Sequence, residues 1–348
     1  MASERNETTT TTTTLLPVLH KEGEDDDHGR KAGSAMTRRG AYAAVSYMAS
    51  AVLLLMFNKA ALSSYKFPCA NVITLFQIIC SSTLLYALRH WKIISFTMGE
   101  SQSISSSGKS IILVPYKTLV QTLPLAISYL LYMLVTMESV RGINVPMYTT
   151  LRRTTVVFTM IAEYLLTGQT HSLFVVGSVG MIILGAVVAG ARDLSFDTYS
   201  YSVVFIANIC TAIYLASIAR IGKSSGLNTF GLMWCNGLIC GPLLLFWIIL
   251  RGDVETTLNF RYLFSFGFQC VMLLSCIMAF LINYFVFLNT TLNSALTQTV
   301  CGNLKDVFSI AIGWFLFGGL PYDFLNVVGQ SIGFLGSCFY AYCKLHGK

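Results

Sequence analysis

Long apolar segments recur along almost the whole chain, and this feature constrains the fold most. A helix of about 20 apolar residues spans the hydrocarbon core of a bilayer. Such segments lie at about 42–63, 69–90, 116–139, 143–166, 173–191, 199–221, 227–250, 264–288, 292–317 and 322–343. Only 11% of the residues are charged, whereas soluble domains are about one quarter charged. The sequence therefore predicts an all-α membrane protein with ten transmembrane helices.

A polar N-terminal segment precedes the apolar ones. It contains a threonine run at 8–14 and an acidic run at 22–27, followed by four basic residues. A segment of this composition does not bury enough apolar area to fold by itself. We expect residues 1–40 to be a disordered cytosolic tail without a signal peptide. Residues 41–345 are then one ten-helix domain, with halves at about 41–192 and 198–345.

Basic residues are unevenly divided between the two predicted sides of the membrane. Eleven Lys or Arg residues fall on the side of the N-terminus and five on the opposite side. Loops rich in Lys and Arg stay in the cytosol, and an even number of spans puts both termini on one side. We therefore expect both termini to be cytosolic. The chain carries no aromatic and basic pattern typical of nucleic-acid binding, so the expected partner is a lipid bilayer and not a nucleic acid.

A weak internal repeat relates the two predicted halves at an offset of 153 residues. It pairs Arg152 with Lys305 and Gly180 with Gly333. Because each half has an odd number of helices, the second copy enters the membrane in the inverted orientation. Two inverted five-helix repeats are typical of secondary transporters, which bind their substrate near the middle of the membrane where the halves meet.

Cations within predicted spans are the strongest functional signal. A central Arg or Lys costs about 2.5–3.5 kcal/mol in the membrane, so it is expected to face a cavity or a partner. One polar stripe on the fourth span consists of Tyr148, Arg152, Thr155, Thr159 and Glu163, and the ninth span repeats its first steps with Gln298, Gly302, Lys305 and Ser309. Two cations that meet between the halves repel each other unless an anion lies between them. A phosphate or diphosphate is the predicted occupant.

Other side chains complete the predicted substrate site. Arg153 supplies a further cation, and Lys59 binds phosphate or closes a gate. Gly302 leaves room beside Lys305, and Asn303 supplies hydrogen-bonding groups. The remaining members are Asn58, Trp234, Asn236 and Tyr284, and the cavity is widened by Asn71, Thr74, Gln77, Tyr129, Tyr132 and Asn283. An aromatic side chain in this set is suited to stack on a nucleobase.

The alternatives at this stage concern the acidic residues and the class of protein. Glu138, Glu163 and Asp306 are candidates to neutralise the cations in buried pairs or to couple transport to protons. The sequence has no catalytic motif, metal-ligand cluster or ATP-binding loop. This excludes the familiar enzyme classes and favours a secondary transporter without a cofactor over a membrane enzyme or a receptor.

Three segments carry a resemblance to a known family: Phe57-Asn-Lys59, the stretch 145–153 and the stretch 302–306. They resemble nucleotide-sugar transporters of the drug/metabolite transporter superfamily, over about residues 40–345. The likeness is greatest to plant UDP-N-acetylglucosamine transporters of the endoplasmic reticulum and Golgi. This resemblance implies ten helices in two inverted halves, and exchange of a luminal nucleoside monophosphate for a cytosolic nucleotide sugar.

The details of the resemblance favour a uridine nucleotide. GDP-mannose carriers of this superfamily have Phe-Tyr-Asn-Asn and Gly-Ala-Leu-Asn-Lys motifs, and the matching stretches here are 233–236 and 302–306. Asn236 and Gly302 match, whereas Trp234 and Asn303 do not. We therefore expect import of a UDP-sugar, above all UDP-N-acetylglucosamine, in exchange for UMP. A GDP-sugar or phosphorylated-sugar antiporter is the alternative, and the oligomeric state, with a homodimer among the options, is left open.

Overall fold

The computed structural model describes residues 35–59, 61, 65–97, 114–139, 145–191, 197–317 and 324–347. In these ranges the chain forms twelve helices and no strand apart from an isolated bridge between Thr97 and Leu227. The helices are α1 Arg38–Lys59, α2 Ala70–His90, α3 Tyr116–Ser139, α4 Val145–Arg152, α5 Thr155–Thr167, α6 Leu173–Gly190, α7 Thr198–Ser224, α8 Thr229–Leu250, α9 Asp253–Leu258, α10 Phe266–Leu292, α11 Ala295–Phe317 and α12 Phe324–Leu345. We call α1–α6 the first half and α7–α12 the second half. The predicted tail up to residue 34 lies outside the described residues.

Eight of the helices have the length and hydropathy needed to cross a membrane: α1, α2, α3, α6, α7, α8, α10 and α12. The prediction of an all-α membrane protein is therefore confirmed. The segment predicted as the fourth span is divided into α4 and α5, and the ninth coincides with α11, which contains Lys305 and Asp306. The count of ten spans stays a prediction at these two places.

Polar side chains and one glycine determine where several helices begin and end. The Asn228 side chain accepts a hydrogen bond from the Gly231 N–H at 2.9 Å and so begins α8, as expected for a residue at the N-cap position. At the end of α5, Gly168 adopts a left-handed conformation with φ of 67°, and its N–H donates to Tyr164. This conformation favours glycine and is a common way to end a helix.

α6 and α12, the last helices of the two halves, pack so closely that their contact requires glycine. A Cβ atom on Gly185 would lie 2.5 Å from the backbone nitrogen of Gly333, and one on Gly329 would lie 2.3 Å from that of Ala189. Small residues allow helix backbones to approach in this way in membranes. Elsewhere α3 packs on α7, α1 on α10, α5 on α7, α1 and α5 on α11, and α2 on both α8 and α10.

Candidate functional site

A cavity of about 430 Å³ lies between the two halves. Its walls come from α1 to α5 in the first half and from α7, α10 and α11 in the second. It is lined by five of the residues that the sequence assigns to the site, namely Arg152, Lys305, Gly302, Asn303 and Asn58, and by Thr74, Gln77, Tyr129, Tyr132 and Asn283. The two cations that the internal repeat pairs therefore face one space.

Arg152 is held at the last residue of α4 by side chains of α7. Its guanidinium Nη1 donates hydrogen bonds to Asn208 Oδ1 at 3.3 Å and to Thr211 Oγ1 at 2.9 Å. Both partners are neutral, so they orient the guanidinium, and no carboxylate of the described residues forms an ion pair with it. Such an arginine attracts an anionic ligand and can bind it through several N–H groups.

The helix that carries Arg152 is interrupted directly after it. The backbone N–H groups of Arg153 and Thr154 donate to carbonyls three residues earlier, at 3.2 and 3.1 Å, as in a 3₁₀ turn. The hydroxyls of Thr154 and Thr155 also donate to carbonyls three residues earlier. Hydroxyl groups that compete for backbone acceptors in this way weaken a regular helix. The predicted fourth span is thus a broken helix, a feature that transporters place at substrate sites.

Asn208 of α7 stabilises this interruption from the side. Its amide nitrogen donates to the Leu151 carbonyl at 3.0 Å and to Thr154 Oγ1 at 3.0 Å, and its oxygen accepts from Thr155 Oγ1 at 2.9 Å. The side chain is fully buried. All its hydrogen-bonding groups are therefore used to hold α4 and α5 in position.

Lys305 forms an ion pair within the cavity with its neighbour Asp306. Its Nζ donates to Asp306 Oδ1 at 2.6 Å, and the two side chains are 25% and 32% exposed. Because both residues line the cavity, a bound anion would lie against Lys305 in competition with Asp306. The acidic residue therefore modulates this cation, and does so from the same helix.

Asn303 and Gly302 lie beside Lys305 on the cavity wall. The Asn303 side-chain nitrogen is buried and has no hydrogen-bond partner among the described groups. A buried donor of this kind is costly unless it is satisfied, which favours a ligand acceptor in the cavity. A Cβ on Gly302 would meet the Tyr47 hydroxyl at 3.7 Å, an ordinary contact, so a methyl group would fit at this position.

Three tyrosines form an aromatic wall of the cavity. The rings of Tyr132 and Tyr214 are parallel within 3°, with centroids 5.5 Å apart, and the Tyr129 ring lies 5.4 Å from Tyr214. The Tyr132 and Tyr214 rings stack on each other, and the Tyr129 ring is inclined to Tyr214 by 59°. An aromatic face that remains open to the cavity is suited to stack on a nucleobase or a sugar ring. Tyr129 and Tyr132 are predicted from the sequence, whereas Tyr214 is not.

Three residues of α7 contribute to the site although the sequence did not predict them. Asn208, Thr211 and Tyr214 follow each other at intervals of three residues, which places them on one face of a helix. This spacing is the signal that could have identified them. Thr211 and Tyr214 line the cavity, and Asn208 lies directly behind them.

A polar cluster of α1, α2 and α10 closes one side of the cavity. Asn58 Oδ1 accepts hydrogen bonds from Gln77 Nε2 at 3.1 Å and from Ser275 Oγ at 2.6 Å. Gln77 also donates to Ser275 at 2.7 Å. These bonds join the first half to the second, so Asn58 both lines the cavity and connects the halves.

Several predicted site residues lie away from the cavity. Arg153 is buried and donates to the backbone and side chain of Gln330 on α12. Trp234 stacks on Phe96 at 5.6 Å, so that face of the indole is not available to a nucleobase. Tyr284 stacks on Phe230 at 4.9 Å.

The remaining three predicted site residues are Tyr148, Asn236 and Lys59. Tyr148 is half-buried on α4, one turn before Arg152, and is absent from the cavity lining. Asn236 borders a small adjoining cavity of about 30 Å³. Asn283 lines both spaces. The side chain of Lys59, like that of Ser309 on the predicted stripe, lies outside the described part of the chain.

Comparison with known proteins places the chain in a family. The model of the Triose-phosphate Transporter family matches residues 38–341. The UDP-N-acetylglucosamine transporter UGNT1 of Arabidopsis thaliana is 64% identical over 94% of this chain and 96% of its own. The UDP-sugar transporter sqv-7 of Caenorhabditis elegans is 32% identical, over 88% and 89%.

A solved crystal structure also has the same fold. It aligns with a TM-score of 0.56 at 12% identity, and the alignment covers 86% of this chain and 96% of the other. The match to the family model extends from the start of α1 into α12, and so includes every helix that lines the cavity. The chain belongs to the Triose-phosphate Transporter family.

Proposed function

We propose that this chain is an antiporter that moves UDP-N-acetylglucosamine from the cytosol into the lumen of the endoplasmic reticulum or Golgi, in exchange for UMP. The observation that carries the proposal is the shared cavity, in which Arg152 of the first half and Lys305 of the second face one space. The names of the Arabidopsis and nematode relatives, a UDP-N-acetylglucosamine transporter and a UDP-sugar transporter, support the substrate class.

The charges of the cavity suit the diphosphate of a UDP-sugar. Arg152 is oriented by neutral groups, and Lys305 shares its charge with Asp306. A diphosphate between the halves would accept hydrogen bonds from both cations, which are stronger than bonds between neutral groups. UMP carries a phosphate of the same kind and would bind at the same place.

The rest of the cavity suits the uridine and the sugar. The wall of Tyr129, Tyr132 and Tyr214 offers an aromatic face to the uracil. The unpaired donor of Asn303 would bind an acceptor oxygen of the N-acetyl sugar. A volume of about 430 Å³ lies within the usual range for small-molecule sites.

Helix packing supports the arrangement as ten spans in two inverted repeats. In such a repeat the counterparts are α1 and α7, α2 and α8, α3 and α10, α5 and α11, and α6 and α12. When each helix is replaced by its counterpart, the pair α3–α7 becomes α10–α1, and the pair α5–α7 becomes α11–α1. The pairs α6–α12 and α2–α8 become themselves. All of these pairs are in contact, as a pseudo-two-fold relation requires. With the excess of basic residues on the side of the N-terminus, this arrangement favours a cytosolic location for both termini.

Exchange rather than one-way transport follows from the electrostatics. If the carrier closed without a ligand, the positive charge of Arg152 would be buried without an anion. Burial of a charge without a partner costs several kcal/mol. A bound nucleotide removes this cost, so the loaded carrier would change its orientation more readily than the empty one.

Exchange in proteoliposomes tests the proposal. Vesicles preloaded with UMP, GMP, CMP or no nucleotide would be supplied with labelled UDP-N-acetylglucosamine, other UDP-sugars, GDP-mannose or triose phosphate. We expect UMP-loaded vesicles to accumulate UDP-N-acetylglucosamine fastest. Arg152→Ala and Lys305→Ala should abolish exchange, whereas Lys117→Ala, at an exposed lysine of α3, should leave it unchanged.

Three outcomes would contradict the proposal. Preference for GMP and GDP-mannose would indicate a GDP-sugar carrier, and preference for triose phosphate would indicate a phosphorylated-sugar carrier. Equal uptake into empty and UMP-loaded vesicles would exclude obligatory exchange.

A further inference from the structure

Glu163 joins the two halves of the chain outside the cavity. It lies on α5 in the first half, and its side chain is 1% exposed. One carboxylate oxygen accepts a hydrogen bond from the backbone N–H of Ala295 at 3.1 Å, and the other accepts one from Leu296 at 3.2 Å. These are the first two residues of α11. The carboxylate therefore binds the start of the helix that carries Lys305.

The chemistry of a helix start explains why this contact is strong. The first N–H groups of a helix have no acceptor within the helix and carry partial positive charge. A carboxylate supplies both an acceptor and the opposite charge. Because a buried carboxylate is costly without such bonds, α5 and α11 separate at this point only if water can reach both Glu163 and the α11 amides.

Neighbouring groups extend the contact along the same interface. Thr299 Oγ1 on α11 donates to Thr159 Oγ1 on α5 at 3.0 Å. His171 Nε2 lies 3.7 Å from a Glu163 oxygen. Burial, and then the positive charge of Lys344, lower the pKa of His171. This shift disfavours the charged imidazole, and 3.7 Å is too long for a hydrogen bond. Among the described groups, the hydrogen bonds of the carboxylate are therefore those from the α11 amides.

Further bonds join the halves at the same end of the bundle, which we call the amino-terminal end because α1, α8 and α11 begin there. Asn293 Nδ2 donates to the Gly40 carbonyl at 3.0 Å, and Asn228 Nδ2 donates to the Ser95 carbonyl at 2.6 Å. Of these contacts, that of Glu163 involves an ionisable side chain. Glu163 also lies on the polar stripe of Arg152, about three helical turns away.

We propose that the contact between Glu163 and the start of α11 holds the carrier closed at the amino-terminal end, and that it separates whenever the carrier opens there. The inference rests on the proposed transport by alternating access, in which the halves part at each end in turn. Glu163 is a positioning residue, since it acts on α11 and does not line the cavity. A weaker contact would increase the population that is open at this end and decrease the population that is open at the other.

Hydrogen exchange of the α11 amides gives the first test. Glu163→Gln keeps the shape of the side chain but removes its charge and one of its two acceptors. We expect the peptide containing Ala295 and Leu296 to exchange about tenfold faster in the detergent-solubilised variant, consistent with the loss of a bond to a charged group. Glu255→Gln, at an exposed carboxylate of α9, is the matched control and should exchange as the wild type does.

Thiol accessibility separates a change in gating from a loss of structure. Cys301 is a buried free thiol about two turns from the start of α11, in one cluster with Ala44 and Tyr47 near the start of α1. We therefore expect its labelling to report opening at the amino-terminal end. Thr74→Cys, in the cavity wall near the start of α2, reports opening at the opposite end. With Glu163→Gln, we expect N-ethylmaleimide to label Cys301 faster and the thiol of Thr74→Cys more slowly. Thr159→Val removes only a hydroxyl contact and should give the same pattern more weakly.

Two results would overturn the inference. One is hydrogen exchange at the wild-type rate for Ala295 and Leu296 in Glu163→Gln. The other is a change in the labelling rate of both thiols in the same direction, which indicates a general loss of structure. Neither hydrogen exchange nor thiol labelling requires a transported substrate. Failure of the wild-type carrier to exchange UDP-sugar for UMP would therefore count against the proposed function alone.

Discussion

Lys305 and Asp306, adjacent residues of α11, form an ion pair with a distance of 2.6 Å between Nζ and Oδ1 inside the cavity that also contains Arg152. The aspartate therefore neutralises one of the two cations. A diphosphate bound as proposed would be attracted by Lys305 and repelled by Asp306, so the acidic side chain would limit how tightly it binds. Limited affinity favours release after each crossing.

Asp306→Asn should strengthen substrate binding. Removal of the negative charge frees Lys305 and ends the repulsion of the phosphates, at distances where charges interact by a few kcal/mol before screening. We expect the KM for UDP-N-acetylglucosamine to fall by about three- to tenfold. Kinetics in UMP-loaded vesicles would measure this, with Asp253→Asn as the control outside the cavity. An unchanged or higher KM would contradict the role given to Asp306.

Asn208→Ala should impair both stability and transport. The substitution removes the amide that bonds Leu151, Thr154 and Thr155 and one of the two partners of Arg152. Loss of several buried hydrogen bonds costs about 2–4 kcal/mol of unfolding free energy. We expect a lower melting temperature in detergent and slower exchange at saturating substrate. Asn259→Ala, at an exposed residue after α9, should change neither quantity.

Tyr132→Leu should weaken the binding of UMP and UDP-sugars by the same factor. If the parallel rings of Tyr132 and Tyr214 bind the uracil, both substrates lose the same contact, and stacking on one aromatic ring is worth about 1–3 kcal/mol. We expect KM values about five- to a hundredfold higher for both, whereas Tyr132→Phe should stay close to the wild type. If the KM rises for UDP-N-acetylglucosamine alone, this wall binds the sugar instead.

The sequence was sufficient to predict eight of the spans and that Arg152 and Lys305 face one cavity. Hydropathy determines eight of the spans directly. The intervals between Arg152, Thr155 and Thr159 place these residues on one face, and the repeat relates Arg152 to Lys305. In the structure that face is turned toward α11 and the cavity.

The sequence was insufficient where a partner from elsewhere in the chain decides the geometry. Trp234 was assigned to the base, but Phe96, which follows α2, stacks on its ring. Arg153 follows Arg152 by one residue, and a helix turns successive side chains by about 100°, so its guanidinium meets Gln330 of α12 instead of the cavity. The interruption of the fourth span depends in the same way on Asn208 of α7.

A pair of glycine substitutions on α6 should have opposite effects on stability. A Cβ on Gly185 would approach three backbone atoms of α12 within 2.9 Å, whereas one on Gly180 would meet nothing within 4 Å. Backbone atoms cannot move aside as a side chain can, so Gly185→Ala should destabilise the protein by about 1–3 kcal/mol. Gly180→Ala replaces glycine within an exposed helix face, where alanine is favoured by up to about 1 kcal/mol.

Melting temperatures of the two variants in detergent would measure this difference, since each adds the same methyl group to the same helix. We expect Gly185→Ala to melt several degrees below the wild type and Gly180→Ala at or above it. The pair α6–α12 joins the two halves, so Gly185→Ala should also slow UDP-sugar exchange. Equal melting temperatures would mean that α6 and α12 can move apart at little cost. The close contact between α6 and α12 would then not be needed to hold the two halves together.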